Sequence, residues 1–516
     1  MKKLLVLLLA LACMLGMAVP AASAESSYQP INMELNGVGL NMEAYSVGGR
    51  TMVPLRAIFE RLQAEIVWND AERSVTAVKD STTLYLVIDN PEAKVNGEAV
   101  LLDVPPLIIN ESTFVPVRFV SESLGADVEW DAATQTVNIV TDGTKCAGGQ
   151  VHEGTINPAG ETWTRCGSPH FVRGDFFVEG LNNPVLTIEA GATVRFEKDA
   201  SLIIGDEQPG GLLIQGTADQ PVVLTADTSG PVEGFWKGIR FGEATIRDKA
   251  RIEGAHIEYA GGLTGAIFMV SGGPLLQVTV KDTEIRNSLY SGIEMVHNSR
   301  LSDESGNITI SGTKIDNYGI GFPMITDLTG SHLIPEGNYT GNDIDAIRIT
   351  SINTYATLAR STTWRDAGVP YYLDITLAVE GPGNPLLTIE PGVTTLWAPY
   401  TFLEIANNGK GGLKAVGTAE KPITFAGSVD KLTGWSGILI GSAAVSSGID
   451  LQHVIISNAE NGITMYEDYG GIIKNSQFTK NKRAIFMPLY EEGQTDYRKG
   501  LGNTFEGNSE DQNIEE

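Results

Sequence analysis

The chain has 516 residues, 63 of them acidic against 36 basic, a formal charge of −27, and only three cysteines. That length holds several domains, the charge would repel a phosphate backbone and excludes a nucleic-acid binder, and the cysteine count excludes a disulfide-built scaffold. A hydrophobic share of 42% excludes an acidic disordered chain, and 58 glycines among abundant Val, Ile, Leu and Thr favour many short strands and tight turns.

Residues 1–24 read as a secretory signal. Lys2 and Lys3 supply the positive start, Leu4 to Val19 is apolar and uncharged, and Ala22-Ser23-Ala24 is a small-residue cleavage pattern. The apolar run is too short for a stable membrane span. Cys13 after Ala12 leaves a lipid-modified cysteine as an alternative, although apolar residues continue past it. Cleavage removes two lysines and Cys13, so the exported chain carries −29 and two cysteines, Cys146 and Cys166. Two isolated cysteines in one short segment, in an oxidising compartment, read as a disulfide, and closing that loop contributes roughly 3 kcal/mol. His152 and His170 lie nearby, so the alternative is a Cys/His metal site, but the spacing fits no familiar zinc pattern. The expectation is therefore no metal and no cofactor.

Residues 25–142 hold a first internal repeat. Thr51-Met52-Val53-Pro54-Leu55-Arg56 returns as Thr113-Phe114-Val115-Pro116-Val117-Arg118, Leu62 as Leu124, and Trp68-Asn69-Asp70 as Trp130-Asp131-Ala132, all at one constant offset. Each copy reads as strand, short helix, strand, turn and strand, an α+β module. Arg56 and Arg118 suggest a paired carboxylate-binding site, but a helix-start arginine pairing with Glu60 or Glu122 at i,i+4 is the plainer reading. On these motifs residues 31 to 140 resemble the copper amine oxidase N-terminal domain, a non-catalytic appendage in that family. The family's chemistry needs an Asn-Tyr-Asp/Glu context for its quinone and an H-x-H pair. Asn317-Tyr318 is followed by Gly319, Asn338-Tyr339 by Thr340, and none of the six histidines forms H-x-H. Amine oxidase activity is rejected.

Residues 143–516 carry a second repeat, in two tandem units at about 160–342 and 361–516. Asn183-Pro184-Val185-Leu186-Thr187-Ile188-Glu189 matches Asn384-Pro385-Leu386-Leu387-Thr388-Ile389-Glu390. Gly216-Thr217-Ala218 matches Gly417-Thr418-Ala419, Trp236 matches Trp435, and His256 is paired with His453. Inside each unit short strands punctuated by Gly and Asn recur at a short, nearly regular period. Thr283-Glu284-Ile285-Arg286-Asn287, for example, returns as Thr313-Lys314-Ile315-Asp316-Asn317. Coils of a parallel β-helix repeat in this way. The asparagines suit tight corners and, stacked, a ladder of amides. In-register stacking is expected to place Glu284 and Arg286 over Lys314 and Asp316. This region resembles the right-handed parallel β-helix proteins of pectin-lyase type, so the fold expected is mainly β, a small α+β domain followed by a solenoid.

That scaffold hosts many chemistries, so activity must be argued from sites. Asp343-Ile344-Asp345 with Arg348 is the nearest acidic pair for a calcium-dependent lyase, yet it lacks a calcium-loop pattern and reads as a solvated corner. Asp282, Glu294 and Asp303 are generic candidates for hydrolase carboxylates. Trp236 and Trp435 are candidate platforms for stacking on sugar rings, although flanking glycines favour a packing role; His256 and His453, present in both copies, read as structural. The reading is a secreted, extracellular or cell-wall protein without catalytic residues. Its β-helix presents a surface for glycan or protein contact, its partner a cell-wall or extracellular polysaccharide, with no nucleic acid and no membrane span. The alternative is a polysaccharide lyase or glycoside hydrolase acting on acidic polysaccharide in a β-helix groove.

Overall fold

The computed structural model describes residues 31–513 apart from 37, 41, 63, 80–81, 111, 125, 132–133, 142–148, 166, 429–433, 471 and 490–492. The chain divides into two compact units, Met1–Cys146 and Ala147–Glu516. The signal segment and both Cys146 and Cys166 lie outside the described residues. Among the described residues no helix is long and apolar enough to cross a membrane.

In the first unit the internal repeat becomes a pair of similar halves. Strands Arg50–Pro54 and Ser112–Pro116 run antiparallel, with Val53 opposite Val115. Each leads directly into a helix, Leu55–Arg61 and Val117–Ser123, because the proline fixes an extended backbone at the N-cap (φ −60° and −63°). Ile58, Phe59 and Leu62 from one half and Val120 and Leu124 from the other fill a shared core. Trp68 lies opposite Val75 in one hairpin and Trp130 opposite Val137 in the other. Both indoles stay partly exposed, at 45% and 47%. Arg118 pairs with Glu122 at 3.7 Å across one helical turn, the plain local pair.

The second unit is a right-handed stack of parallel coils, each contributing up to three short strands. A first ladder runs through Val185–Glu189, Gly210–Gln215 and Thr245–Glu253. A second runs through Thr193–Phe196, Val222–Ala226 and Ala255–Glu258. The third runs through Ser201–Ile204, Gly238–Phe241, Ile267–Val270, Tyr290–Val296, Gly321–Thr326 and Ile347–Ile349. Alternate residues point inward, so Ile239, Ile267 and Ile293 stack, all with 0% exposure, as do Phe241, Met269 and Met295. A single coil has no partner for its inward face; the neighbouring coil supplies it.

The corners explain the surplus of Gly and Asn. From Ala255–Glu258 onward the strands of this ladder, which continues through the end of Leu276–Arg286 and Gly306–Ser311, are followed by a left-handed residue: Tyr259 (φ 60°), Asn287 (53°) and Gly312 (68°), with Asn458 (56°), Lys480 (55°) and Gly507 (66°) in the second repeat. Glycine and asparagine adopt that backbone most readily. At the second repeat's corner Asn481 Nδ2 donates to Asn508 Oδ1 at 3.0 Å, one rung of an amide ladder.

Two sequence expectations about register are corrected. Glu284 lies beside Thr309 and Arg286 beside Ser311, not over Lys314 and Asp316, because the coil that follows is shorter than the Asn-marked spacing implies. Arg286 instead clasps Glu284 on its own strand, and Lys314 bonds Asp343 at 3.0 Å. His256 and His453 are not equivalent either. His453 holds a left-handed corner (φ 48°) that Gly254 (φ 61°) holds in the first repeat; each accepts on its carbonyl the amide that opens the adjacent strand, from Ile423 and Val222. His256 sits on a strand, beside Val223.

The join between the repeats also departs from simple stacking. Ile347–Ile349 of the third ladder pairs with Tyr371–Leu373 and then Thr394–Trp397. By sequence, Thr394–Trp397 corresponds to Thr193–Phe196, a second-ladder strand. The second repeat therefore mounts on the first turned by one face.

Candidate functional site

Outward positions of the third ladder form one continuous row: Arg240, Phe268, Glu294, Ile325, Arg348 and Tyr372 are successive register partners. An outward side chain on a β-helix normally meets water. Here Glu294 is only 8% exposed and Ile325 only 1%. The cover is a small apolar cluster outside the helix core, in which Phe322, Ile325 and Ala346 are buried and Tyr290, Ile320, Ile344 and Tyr372 pack around them.

Charged groups inside this cover are handled one by one. Burial pushes the Glu294 carboxyl above the usual carboxylate range, against the opposing pull of the Gly265 amide, the Arg348 charge and the Tyr290 hydroxyl. The Gly265 N–H donates to Glu294 Oε2 at 3.1 Å. The same burial, with the Glu294 charge next, pushes the Tyr290 hydroxyl up to about 12. Arg348 donates from Nε at 3.1 Å and from a terminal nitrogen to one oxygen of Asp374. The other oxygen, Oδ1, is buried and takes no hydrogen bond from a described residue. Phe322 and Tyr372 stack with ring centres 5.5 Å apart, and the Arg348 guanidinium lies 5.8 Å from the Phe322 ring. The site thus combines a carboxyl group whose pKa burial raises, a clamped ion pair and two stacked rings.

Most residues singled out by sequence lie elsewhere. Trp236 and Trp435 are fully buried, which corrects the stacking-platform reading. Each indole donates inward to the carbonyl that ends a strand, Glu258 at 2.8 Å and Ser457 at 3.0 Å. Trp236 stacks on Phe196 at 3.8 Å and Trp435 on Trp397 at 5.3 Å, so neither offers a ring face to a sugar. Asp343 and Asp345 accept backbone amides, from Ile315 at 3.0 Å and Asn342 at 2.8 Å, and shape a corner. Asp282 takes Asn307 Nδ2 at 2.7 Å. Asp303 lines a separate cleft of about 420 Å³ with His332, Arg365 and Glu390. Of the three generic carboxylates only Glu294 belongs to the covered site. Tyr290, Asp374 and Tyr372 were missed. The available signal was a broken repeat, because Glu294 stands where Phe486 stands in the second copy.

Comparison with known proteins accords with the two architectures. The family described as copper amine oxidase N-terminal domain matches residues 34–139. The family described as pectate-lyase like beta helix domain matches residues 165–265. The chain carries both modules, in that order. A Brevibacillus choshinensis protein named "Protease inhibitor" is 28% identical over 150 residues, which are 29% of this chain and 44% of that relative. The chain therefore spans under half the length of that relative. No solved structure matches.

Proposed function

We propose that this is an exported, non-catalytic protein of the cell envelope or extracellular space. In this reading the β-helix presents its outer ladders to glycan or protein, and the N-terminal module mediates envelope association. The observation that carries it is how the outer carboxylates are placed. Four of them are each engaged by a separate cation: Asp227 with Arg173 at 2.7 Å, Asp175 with Lys237 at 2.9 Å, Asp206 with Arg240 at 3.0 Å, and Asp374 with Arg348. Glycoside hydrolysis instead needs two carboxyl groups facing one bond, one free to act as base or nucleophile. Export rests on the Lys2-Lys3, apolar run and Ala22-Ser23-Ala24 pattern. The pectate-lyase-like module supports carbohydrate contact, and the relative's name makes protein contact the competing form of the same reading.

A second reading, hydrolysis or elimination on an acidic polysaccharide, has one observation in its favour, the buried Glu294 carboxyl, whose pKa burial raises. The exported protein should co-sediment with a uronate-containing or neutral polysaccharide, with and without calcium, leaving the polymer intact. Unsaturated products or new reducing ends would overturn the non-catalytic reading. Inhibition of a protease without polysaccharide retention would move the contact from glycan to protein.

A further inference from the structure

The first coil of the β-helix contains a side-chain cluster that the proposed function does not use. Strand Val151–Thr155 pairs in parallel with the start of His170–Val178, and Glu161–Trp163 lies in the next ladder. Together they bring His152, His170, Glu161 and Trp163 to one place. His170 is 1% exposed, and the His152 side chain 11%. Trp163 stacks on His170 with ring centres 5.5 Å apart and lies 4.1 Å from His152.

The hydrogen bonds fix which ring nitrogens carry hydrogen. His170 Nε2 lies 2.8 Å from the carbonyl of Thr164. A carbonyl only accepts, so Nε2 carries the hydrogen and a neutral ring presents a lone pair at Nδ1. His152 Nδ1 lies 3.5 Å from Glu161 Oε2. That carboxylate is anchored by Trp163 Nε1 at 2.9 Å and the Asn157 amide at 3.1 Å. A carboxylate also only accepts, so the neutral His152 ring carries its hydrogen on Nδ1 and presents a lone pair at Nε2. The two remaining nitrogens, His152 Nε2 and His170 Nδ1, face each other at 3.1 Å. Two lone pairs at that distance repel unless an electrophile lies between them.

The geometry points to a first-row d-block cation, of the zinc class, bound between His152 Nε2 and His170 Nδ1. Imidazole suits such ions, and metal–nitrogen distances of about 2.0–2.1 Å let one ion reach both nitrogens across this gap. The surroundings match what metal-bound histidines require, since each ring gives its other N–H to a carbonyl or a carboxylate, which fixes ring orientation and raises basicity. Among the described residues no group of three or more His, Cys, Asp and Glu side chains is placed to hold a metal ion together, and Glu161 here orients His152 rather than facing the gap. The protein thus supplies two ligands and solvent completes the shell. Bound there, the ion joins the outermost strand of the solenoid to the strand beneath it.

The test uses the untagged exported chain, stripped with chelator, reloaded with Zn²⁺ alone and passed over a desalting column. One zinc per chain should be retained, with a rise in Tm of a few degrees. His170→Gln and His152→Gln should each lose both effects, and His332→Gln should keep them. His152 is the less buried of the pair, so H152Q, with an unchanged far-ultraviolet spectrum, separates loss of a ligand from loss of fold. Glu161→Gln should weaken zinc binding about 10–100-fold. Absence of zinc from the reloaded parent, or equal retention in H152Q, overturns the proposal. NMR signals of the two rings that respond to pH and not to Zn²⁺ overturn it as well, and assign the gap to a shared proton.

Discussion

The two repeats of the β-helix share an interior and differ outside. Ile239, Ile267 and Ile293 stack in the first copy as Ile438, Ile463 and Ile485 do in the second, nearly all fully buried. Met269 and Met295 likewise answer to Met465 and Met487. The outward residue between them is Glu294 in one copy and Phe486 in the other. Glu294 is 8% exposed and lies beside Ile325 of a small cluster rich in aromatic rings, whereas Phe486 lies beneath the Arg483 guanidinium at 4.5 Å. Inward positions are fixed by close packing, where one methylene is felt. Outward positions are fixed only by whatever covers them, so individuality accumulates there.

The comparison can be broken most sharply from the inside. Ile267→Ala and Ile463→Ala should each lower stability by about 2–5 kcal/mol in urea denaturation, since both leave a cavity between stacked coils. A small loss in only one of them would show that the copies do not share a core. The corner is the next place to look. A Cβ on Gly254 would lie 2.3 Å from the carbonyl carbon of Gly216 and 2.7 Å from the Thr217 nitrogen. Gly254→Ala should therefore cost about 1–3 kcal/mol for the clash, added to about 1–2 kcal/mol for the left-handed backbone. His453, at the same corner of the other copy, already carries a side chain, so His453→Ala should change stability by no more than about 0.5 kcal/mol.

The smallest expected effect separates Glu294 from Phe486. Burial raises the folded-state pKa of Glu294 above its ordinary 4.5, so the unfolded chain releases this proton first as pH rises. Its contribution to stability is complete below about 4.5 and is lost as pH climbs through the folded value. Glu294→Gln cannot ionise. It should match the parent near pH 4 and exceed it near pH 8, as denaturation at the two pH values would show. Phe486→Leu should show no such dependence; equal pH profiles for E294Q and the parent would remove the special status of the Glu294 site.

Much of the fold was legible because the features that define it are local. Prolines before Leu55 and Val117, the Leu-Thr-Ile-Glu strands and the Asn and Gly corners each act within a short stretch of chain. Register was less legible, because it depends on how much chain each corner consumes. A shorter and a longer coil are equally compatible with Asn-marked corners, and Glu284 was paired with the wrong neighbour for that reason. The same ambiguity joined His256 to His453 by identity when their backbones occupy different places. The Glu294 site was legible only as a carboxylate among others. What distinguishes it is burial beside Tyr290 and next to Ile325, which arrives from the following coil, and no spacing records that. The His152–His170 contact has a similar origin, since two histidines on separate strands meet only once the first coil closes.

The turn of one face at the join has a consequence for any long, straight partner. A polymer lying along the third ladder crosses Tyr290–Val296 and Ile347–Ile349, then continues over Tyr371–Leu373 and Thr394–Trp397. It never meets the same strip twice, although the chain holds two copies of each. Duplication along this solenoid therefore does not build a longer identical track. It points corresponding strands of the two copies in different directions, in the manner of a screw.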